Sequence, residues 1–384
     1  MDTVSLPSRH DAPPTAPAAP LVLAVEATRL AKEVRGIGRY VRALIPRFVA
    51  QRPGIRITLY VKGRDVRRLA ADYAGNPVTA GAVDVRPIRE FVRAPADVFW
   101  YPWNVAVSTP RRGAVVVTMH DVAPLVLRDP RFWKWRKNMR WRTRYRVTAA
   151  RATLLVVDSS FTADEVHREL GVSHDRMRVV LLAADDARPS PESEDAEQLA
   201  LLGVRKPFVL TVGAGDRRKN IALVERAIPR VVPAHPELTL VLAGPRTDKQ
   251  RAAARHPWMQ HLGFVSDGAL SALYRNASCL VMPSRYEGFG LPVLEAMQMG
   301  TPVICARTSS LPEVGGDAVL WVDPDDDAQL VASMVEVVGD ARVSARLSAA
   351  GRVQASRFTW DETARRTLDA FDEARAMDTA AVAK

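Results

Sequence analysis

Residues 279–324 read "CLVMPSRYEGFGLPVLEAMQMGTPVICARTSSLPEVGGDAVLWVDP". Three apolar runs mark this stretch: "CLVMPS", "TPVICA" and "AVLWVDP". None alternates with polar residues, so each suits a parallel strand buried on both faces. Between the first two lies a glycine-rich turn, Gly288-Phe289-Gly290, entered by Glu287. Pro292 then suits the first position of a helix. Strand, loop, helix and strand in that order specify an α/β layer. Glu295 falls about one turn into the helix, and its side chain tilts back toward the N-terminus. The free N–H groups of the turn, the positive helix end and two carboxylates therefore converge on one place. A phosphate suits the N–H groups, and the carboxylates suit sugar hydroxyls. A capped helix with incidental acids is the plainer alternative. A glycosidase acid/base pair is another, and it needs roughly 5–9.5 Å between carboxyls. A continuous helix would separate the two by about 12 Å. The glycine turn loosens that figure, so spacing disfavours a hydrolase only weakly.

The same pattern extends outward. Upstream come "LVLAVEA", "RITLYVKG", "DVFWYP", "AVVVTMHD" and "TLLVVDSS", and then "FVLTVGAG", "LTLVLAGP" and "HLGFV". Segments of helical period separate them. The run "DARPSPESEDAEQ", from Asp186, breaks the alternation with Pro, Ser and acids. The reading is two α/β domains: an N-terminal one over 20–185 and a C-terminal one over 206–357. A linker over 186–205 joins them. Residues 1–19, Pro/Ala-rich and without an apolar core, read as a disordered tail rather than a signal peptide. Ligands of such sheets lie beyond the carboxyl ends of the strands, which places a site in the cleft between the domains.

Composition bounds the partners. The 384 residues carry a formal net charge of +11, which favours anionic ligands without distinguishing phosphorylated small molecules, lipid head groups and nucleic acids. Cys279 and Cys305 both stand in apolar runs and read as buried free thiols of a reducing cytoplasm. No apolar run approaches membrane-span length. The seven histidines show no metal-ligand spacing. No D-x-D motif stands where a divalent ion would bridge a diphosphate.

Two further glycine loops are candidates. Gly36 and Gly38 precede a helix with Ile37, Val41, Leu44, Ile45 and Phe48 on its apolar face. They allow close approach of a ligand, or simply a turn into a helix. Val41 occupies the sixth position of G-x-G-x-x-G, so the dinucleotide fingerprint fails and a dehydrogenase is disfavoured. In "FVLTVGAGDRRKNIALVERAI", from Phe208, a strand ends at Gly213 and Gly215, and Arg217, Arg218 and Lys219 follow. The P-loop pattern is absent. Cations beside glycines at a strand's carboxyl end suit a diphosphate, or form a solvated basic turn.

"RFWKWRKNMRWRTRYR", Arg131 to Arg146, interleaves cations with aromatics. That composition suits nucleic acid, an anionic membrane surface, or a helix with solvated arginines. Phe132, Trp135 and Met139 share helical spacing, as do Trp141 and Tyr145, which makes them candidate core.

Together these motifs resemble retaining glycosyltransferases of family four, with the GT-B fold. The resemblance rests on Glu287 and Glu295, separated by seven residues, and on several more segments in the family's order. These are "GIGRY", "VVVTMHDVAPL", "VVDSSFTADEV", "VGAGDRRKN", "LGFVSDGALSALYRNASCLVMPS" and "SRFTWDETARRTLDAF". They span about residues 20 to 377. The last looks like a terminal helix, 358–377, that crosses back to the first domain.

The resemblance implies a role for each motif. Arg218 and Lys219 would hold the donor's diphosphate, and Glu295 the ribose hydroxyls. Glu287 and the backbone of Gly288, Phe289, Gly290 and Leu291 would hold the transferred sugar and nearby phosphate. His120 would face the sugar. Gly36 and Gly38 would belong to the donor loop, with Gly38 against the phosphates, and Val265 would lie near the base. Ala214 departs from the arginine many members carry there. That places the chain with the Arg-Lys-Asn subgroup, which resembles mannosyltransferases. "AADDARP" departs from the usual Gly-Val-Asp, which leaves that segment without an assigned role.

The implied activity is metal-independent, cofactor-free transfer of a hexose, mannose in the first instance, from a nucleotide diphosphate sugar. The implied acceptor is a hydroxyl of a glycan, lipid-linked or small-molecule compound. UDP- or dTDP-sugar donors are the alternative, and a basic nucleic-acid-binding protein is a remote one. A sugar phosphorylase would need a lysine-bound pyridoxal phosphate, which no sequence feature calls for. In this reading the 131–146 region meets an anionic acceptor or the inner face of a membrane, and the protein is cytoplasmic.

Overall fold

The computed structural model describes residues 20–382, apart from 34–35, 107, 128–131, 185–190, 214 and 246–255, and over 132–138 it describes the backbone alone. The expected tail, 1–19, lies outside the described residues. So do 185–189 of "AADDARP".

Two wholly parallel sheets form. The first has seven strands in the order β3-β2-β1-β4-β5-β6-β7. These are β1 (Val22–Glu26), β2 (Arg56–Val61), β3 (Val83–Pro87), β4 (Val98–Tyr101), β5 (Ala114–Met119), β6 (Leu154–Val157) and β7 (Met177–Val179). The second has six strands in the order β10-β9-β8-β11-β12-β13. These are β8 (Phe208–Val212), β9 (Thr239–Ala243), β10 (Met259–Gly263), β11 (Cys279–Met282), β12 (Val303–Ala306) and β13 (Leu320–Val322). Each sheet reverses its winding once, between β1 and β4 and between β8 and β11. Crevices at the carboxyl ends of such switch points take ligands.

Every apolar run of the sequence becomes a strand. β3 and β7 were not anticipated. Both are edge strands, half-covered, and read "VDVRP" and "MRV". Edge strands lack the two buried faces that make a run apolar.

Helices cover both faces of each sheet. One apolar core lies on an outer face of the first sheet and another on an outer face of the second. A third runs through both domains, by way of Leu182, Ala183, Ala184, Phe358 and Trp360. The chain passes between the domains at these two places. The last helix, Trp360–Val382, packs on the first sheet and on helix Ile37–Gln51. Phe371 meets Phe48 and Trp100 edge-on, with ring centroids 5.6 Å apart in each case. Arg52 pairs with Asp372 at 2.6 Å.

The segment expected as a linker is partly structural. Within 186–205, helix Asp195–Leu201 packs on helix Asp267–Asn276 of the second domain. Asp195 accepts hydrogen bonds from Arg275 and Asn276. Its polar sequence concealed this, because an ion pair and a single buried leucine of the helix, Leu199, make the attachment in place of a full apolar stripe. Cys279 and Cys305 are free and buried, and burial pushes the Cys279 thiol up to about 12.

Candidate functional site

The carboxyl ends of β8 and β11 bring Lys219 and Glu287 together. After β8 a tight turn, Arg217–Lys219, is capped by Asp216, whose carboxylate accepts from the Arg218 amide. Arg217 is exposed, whereas Arg218 and Lys219 turn inward. Lys219 Nζ donates to Glu287 Oε1 at 2.8 Å. Arg218 pairs with Asp216 and reaches across to Asp121 of the first domain at 3.2 Å. Burial works against the Arg218 charge. Asp216, Asp121 and Glu287 outweigh that effect and raise its pKa above the usual guanidinium value.

The glycine turn is braced from the next loop. The Glu287 amide donates to Ser309 Oγ at 2.9 Å, and Ser310 Oγ donates to the Glu287 and Phe289 carbonyls. Gly290 caps helix Leu291–Gln298 with φ 111°. Among the described residues, no group accepts from the amides of Gly288, Phe289, Gly290 or Leu291. Four N–H groups beside a helix start and a lysine form a site for an anion.

Glu295, in that helix, is held from two sides. Tyr274 donates to its Oε2 at 2.9 Å, and Arg39, from the first domain, lies 2.5 Å from its Oε1. The two glutamates thus have separate cations and do not form a shared acid/base pair.

His120 follows β5. Its Nδ1 lies 2.7 Å from Asp158 Oδ2 and its Nε2 lies 3.0 Å from the Pro102 carbonyl. Both ring nitrogens face acceptors, which favours the doubly protonated ring. Burial opposes that charge, but the Asp158 carboxylate prevails, and the His120 pKa is raised above its ordinary value. The ring was expected to face the sugar. Its polar atoms are instead turned to partners within its own domain, and it is the His120 carbonyl that meets the second domain. A Cβ on Gly288 would stand 2.1 Å from that oxygen, so only glycine fits there.

The cleft is closed along this line. Ser159 Oγ and Thr162 Oγ1 both donate to the Gly288 carbonyl, at 2.8 and 3.1 Å. The Glu313 carboxylate accepts from the Ser160 and Phe161 amides at the start of helix Ser160–Leu170, both at 2.8 Å.

The predicted residues sort into two groups. Arg218, Lys219, Glu287, Gly288, Phe289, Gly290, Leu291 and Glu295 gather at one cleft with the His120 carbonyl. Gly36 and Gly38 lead into the helix that carries Arg39. Val265 is buried past edge strand β10, two strands from β8 and outside the ion-pair cluster. Arg39, Asp121, Asp158, Ser309, Ser310 and Glu313 were missed. Each stands within a quoted segment, but what marks it out is a partner elsewhere in the chain, 22 residues away for Ser309 and Glu287 and 256 for Arg39 and Glu295.

The basic helix, Phe132–Arg151, divides likewise. Tyr145 is buried as expected, but Met139 is exposed, which corrects its placement in the core. Arg142 pairs with Glu169 at 3.5 Å and Arg144 lies over the Trp141 ring. Arg140 and Arg146 are exposed. The side chains of Phe132 and Trp135 lie outside the description.

Residues 194–354 match the family model described as Glycosyl transferases group 1. The O-antigen chain mannosyltransferase B of Escherichia coli is 34% identical over 235 residues, 57% of this chain and 60% of its own length. The MMP alpha-(1->4)-mannosyltransferase of Mycolicibacterium hassiacum is 31% identical over 256 residues, 62% of this chain and 60% of its own. The chain thus spans 60% of the length of each of these two relatives. In fold, the sucrose-phosphate synthase of Thermosynechococcus elongatus superposes with TM-score 0.70 at 19% identity, covering 93% of this chain and 99% of its own. WaaG, a glycosyltransferase involved in lipopolysaccharide biosynthesis, gives 0.68 at 15%, covering 91% and 99%. The architecture is that of the GT-B glycosyltransferases.

Proposed function

We propose that the chain is a retaining glycosyltransferase that moves a hexose, mannose in our reading, from a nucleotide diphosphate sugar to an acceptor hydroxyl. The observation that carries this reading is the Lys219–Glu287 pair set against the open amides of Gly288 to Leu291. The mannosyltransferase relatives support the choice of sugar.

In this reading the diphosphate exchanges places with the carboxylates. Lys219 and Arg218 turn from Glu287 and Asp121 to the phosphates, and the four amides bind the oxygens nearest the helix start. Glu287, released, accepts hydrogen bonds from the sugar. Glu295 takes the ribose hydroxyls. Charge on the departing diphosphate is stabilised by groups already in place, which is where most of the rate comes from in such chemistry. The acceptor hydroxyl enters on the face the diphosphate leaves, which retains the anomeric configuration. Lys219 and Arg218 provide the positive charge, so the reaction runs without a metal. The acceptor is anionic or lipid-linked and lies on the first-domain side, near the basic helix, on the cytoplasmic face of a membrane.

A thermal-shift screen with GDP, UDP, dTDP and ADP tests the donor site, and donor hydrolysis in EDTA tests metal independence. The proposal expects one nucleotide, GDP first, to stabilise the protein, and its mannose conjugate to be consumed with EDTA present. Stabilisation by none of the four would reject the donor site. A UDP or dTDP winner would select the alternative donor.

A further inference from the structure

Arg39 has no role in the reading above, yet it makes a closer contact with an expected donor residue than any group of the second domain does. It is the third residue of helix Ile37–Gln51. Its Nη1 lies 2.5 Å from Glu295 Oε1, and its Nη2 donates to the Ala184 carbonyl at 3.2 Å, where the chain passes between the domains. Tyr274 holds the other carboxylate oxygen at 2.9 Å. The start of the helix is tightly set. A Cβ on Gly38 would fall 1.7 Å from the Glu33 carbonyl oxygen, so only glycine fits at the residue before Arg39.

We infer that Arg39 is a positioning residue for nucleotide recognition: with Tyr274 it fixes the Glu295 carboxylate to receive the two ribose hydroxyls of the donor. This rests on the proposed role of Glu295 in ribose binding. An ionised carboxylate has about four acceptor sites, two on each oxygen. Arg39 and Tyr274 occupy one on each oxygen and define the plane of the group. The second site on each oxygen remains, and the pair has the spacing and polarity to accept from vicinal hydroxyls. Because Arg39 belongs to the first domain and Glu295 to the second, the receptor for the ribose is complete only when the cleft is closed. Sugar and nucleotide recognition are thereby tied to closure without any further contact.

The test separates this role from that of a simple interdomain strut. The nucleoside diphosphate that stabilises the wild type in the screen is titrated calorimetrically, alongside its dideoxy analogue without ribose hydroxyls. The wild type is expected to prefer the ribose form by about tenfold or more, the range of hydrogen bonds to a charged group. Arg39→Ala is expected to bring that preference within about twofold, and Glu295→Gln to do the same. The double variant is expected to lose no more than either alone, because the two act as one unit. Arg39→Lys, which keeps the charge but not the planar fork, is expected to fall between. If Arg39→Ala weakens both nucleotides in the same ratio, or keeps the wild-type preference, the inference is overturned. A wild type that binds the nucleotide with no ribose preference also overturns it. A wild type that binds no nucleotide at all overturns the donor site itself, which is a different outcome. Should Arg39→Ala fail to fold, Arg39→Lys and Tyr274→Phe, which removes the second brace, decide the question by the same ratio.

Discussion

Glu287 and Lys219 hold each other at 2.8 Å in a cleft that a diphosphate sugar would enter between them. In the proposed reading, removing either group deletes a charge aimed at the reacting bond. Glu287→Ala and Lys219→Ala are each expected to lower turnover by about 10²–10³-fold, the cost of a lost electrostatic contact in a water-poor site. Circular dichroism should show both variants folded, and wild-type turnover by both would dismiss the assignment. His120 offers a second test. Its folded pKa is raised by Asp158, so the folded chain holds this proton more tightly than the unfolded one. The stabilisation is complete below about pH 6.5, the ordinary histidine value, and is lost as pH rises through the elevated folded value. The wild-type melting temperature, relative to Asp158→Asn at the same pH, is therefore expected to decline as pH rises above about 6.5, the ordinary histidine value. A difference independent of pH would show that the ring carries no extra proton.

At the scale of elements, the glycine turn and helix Ser160–Leu170 form the seam of the cleft. Two hydroxyls on one carbonyl and one carboxylate on two amides align the glycine turn and the following helix Leu311–Gly315 with the first domain. Gly288→Ala is expected to hold the seam open, since its methyl would stand 2.1 Å from the His120 carbonyl oxygen. Displacement of the loop by an ångström costs about 10²-fold in a positioned reaction. The expected readout is a kcat/KM reduced by that order together with a weakened nucleotide affinity, because closure also completes the ribose receptor, measured by steady-state kinetics and calorimetry. The turn itself was legible in the sequence, because glycine, proline and acid must stand in a set order to enter a helix. Ser309, Ser310 and Glu313 were not, although they stand in the same quoted stretch. Serines and a glutamate at a helix start are common everywhere, and only their partners distinguish them.

For the whole molecule, the terminal helix begins in the core that runs through both domains and packs on the first. Trp360 is 1% exposed and lies in the core shared by both. Trp360→Ala is expected to reduce unfolding stability by about 3–5 kcal/mol in a denaturant titration, the usual cost of a large-to-small change in a core. A loss below about 1 kcal/mol would mean that the helix packs only loosely. The exposed arginines of the basic helix make a further prediction. The protein should co-sediment with vesicles of anionic phospholipid more than with neutral ones, and less so at high salt. Equal binding to both would reject the membrane reading of this surface.

Strand order of type, the two-domain division and the glycine-bounded loops were determined by the sequence alone. A strand buried on both faces must be apolar throughout, and a turn packed close against another domain must have room for backbone, so both leave local marks. The tertiary structure alone decided which charges meet. Arg39 finds Glu295 and Arg218 finds Asp121 because two sheets place their carboxyl ends face to face, and Asp158 finds His120 because β5 and β6 are neighbours in one sheet. Such pairings depend on through-space distance, which has no period or composition along a chain. The edge strands and the helix inside the supposed linker escaped for a related reason: they are held by neighbours, and their own residues carry little of the pattern.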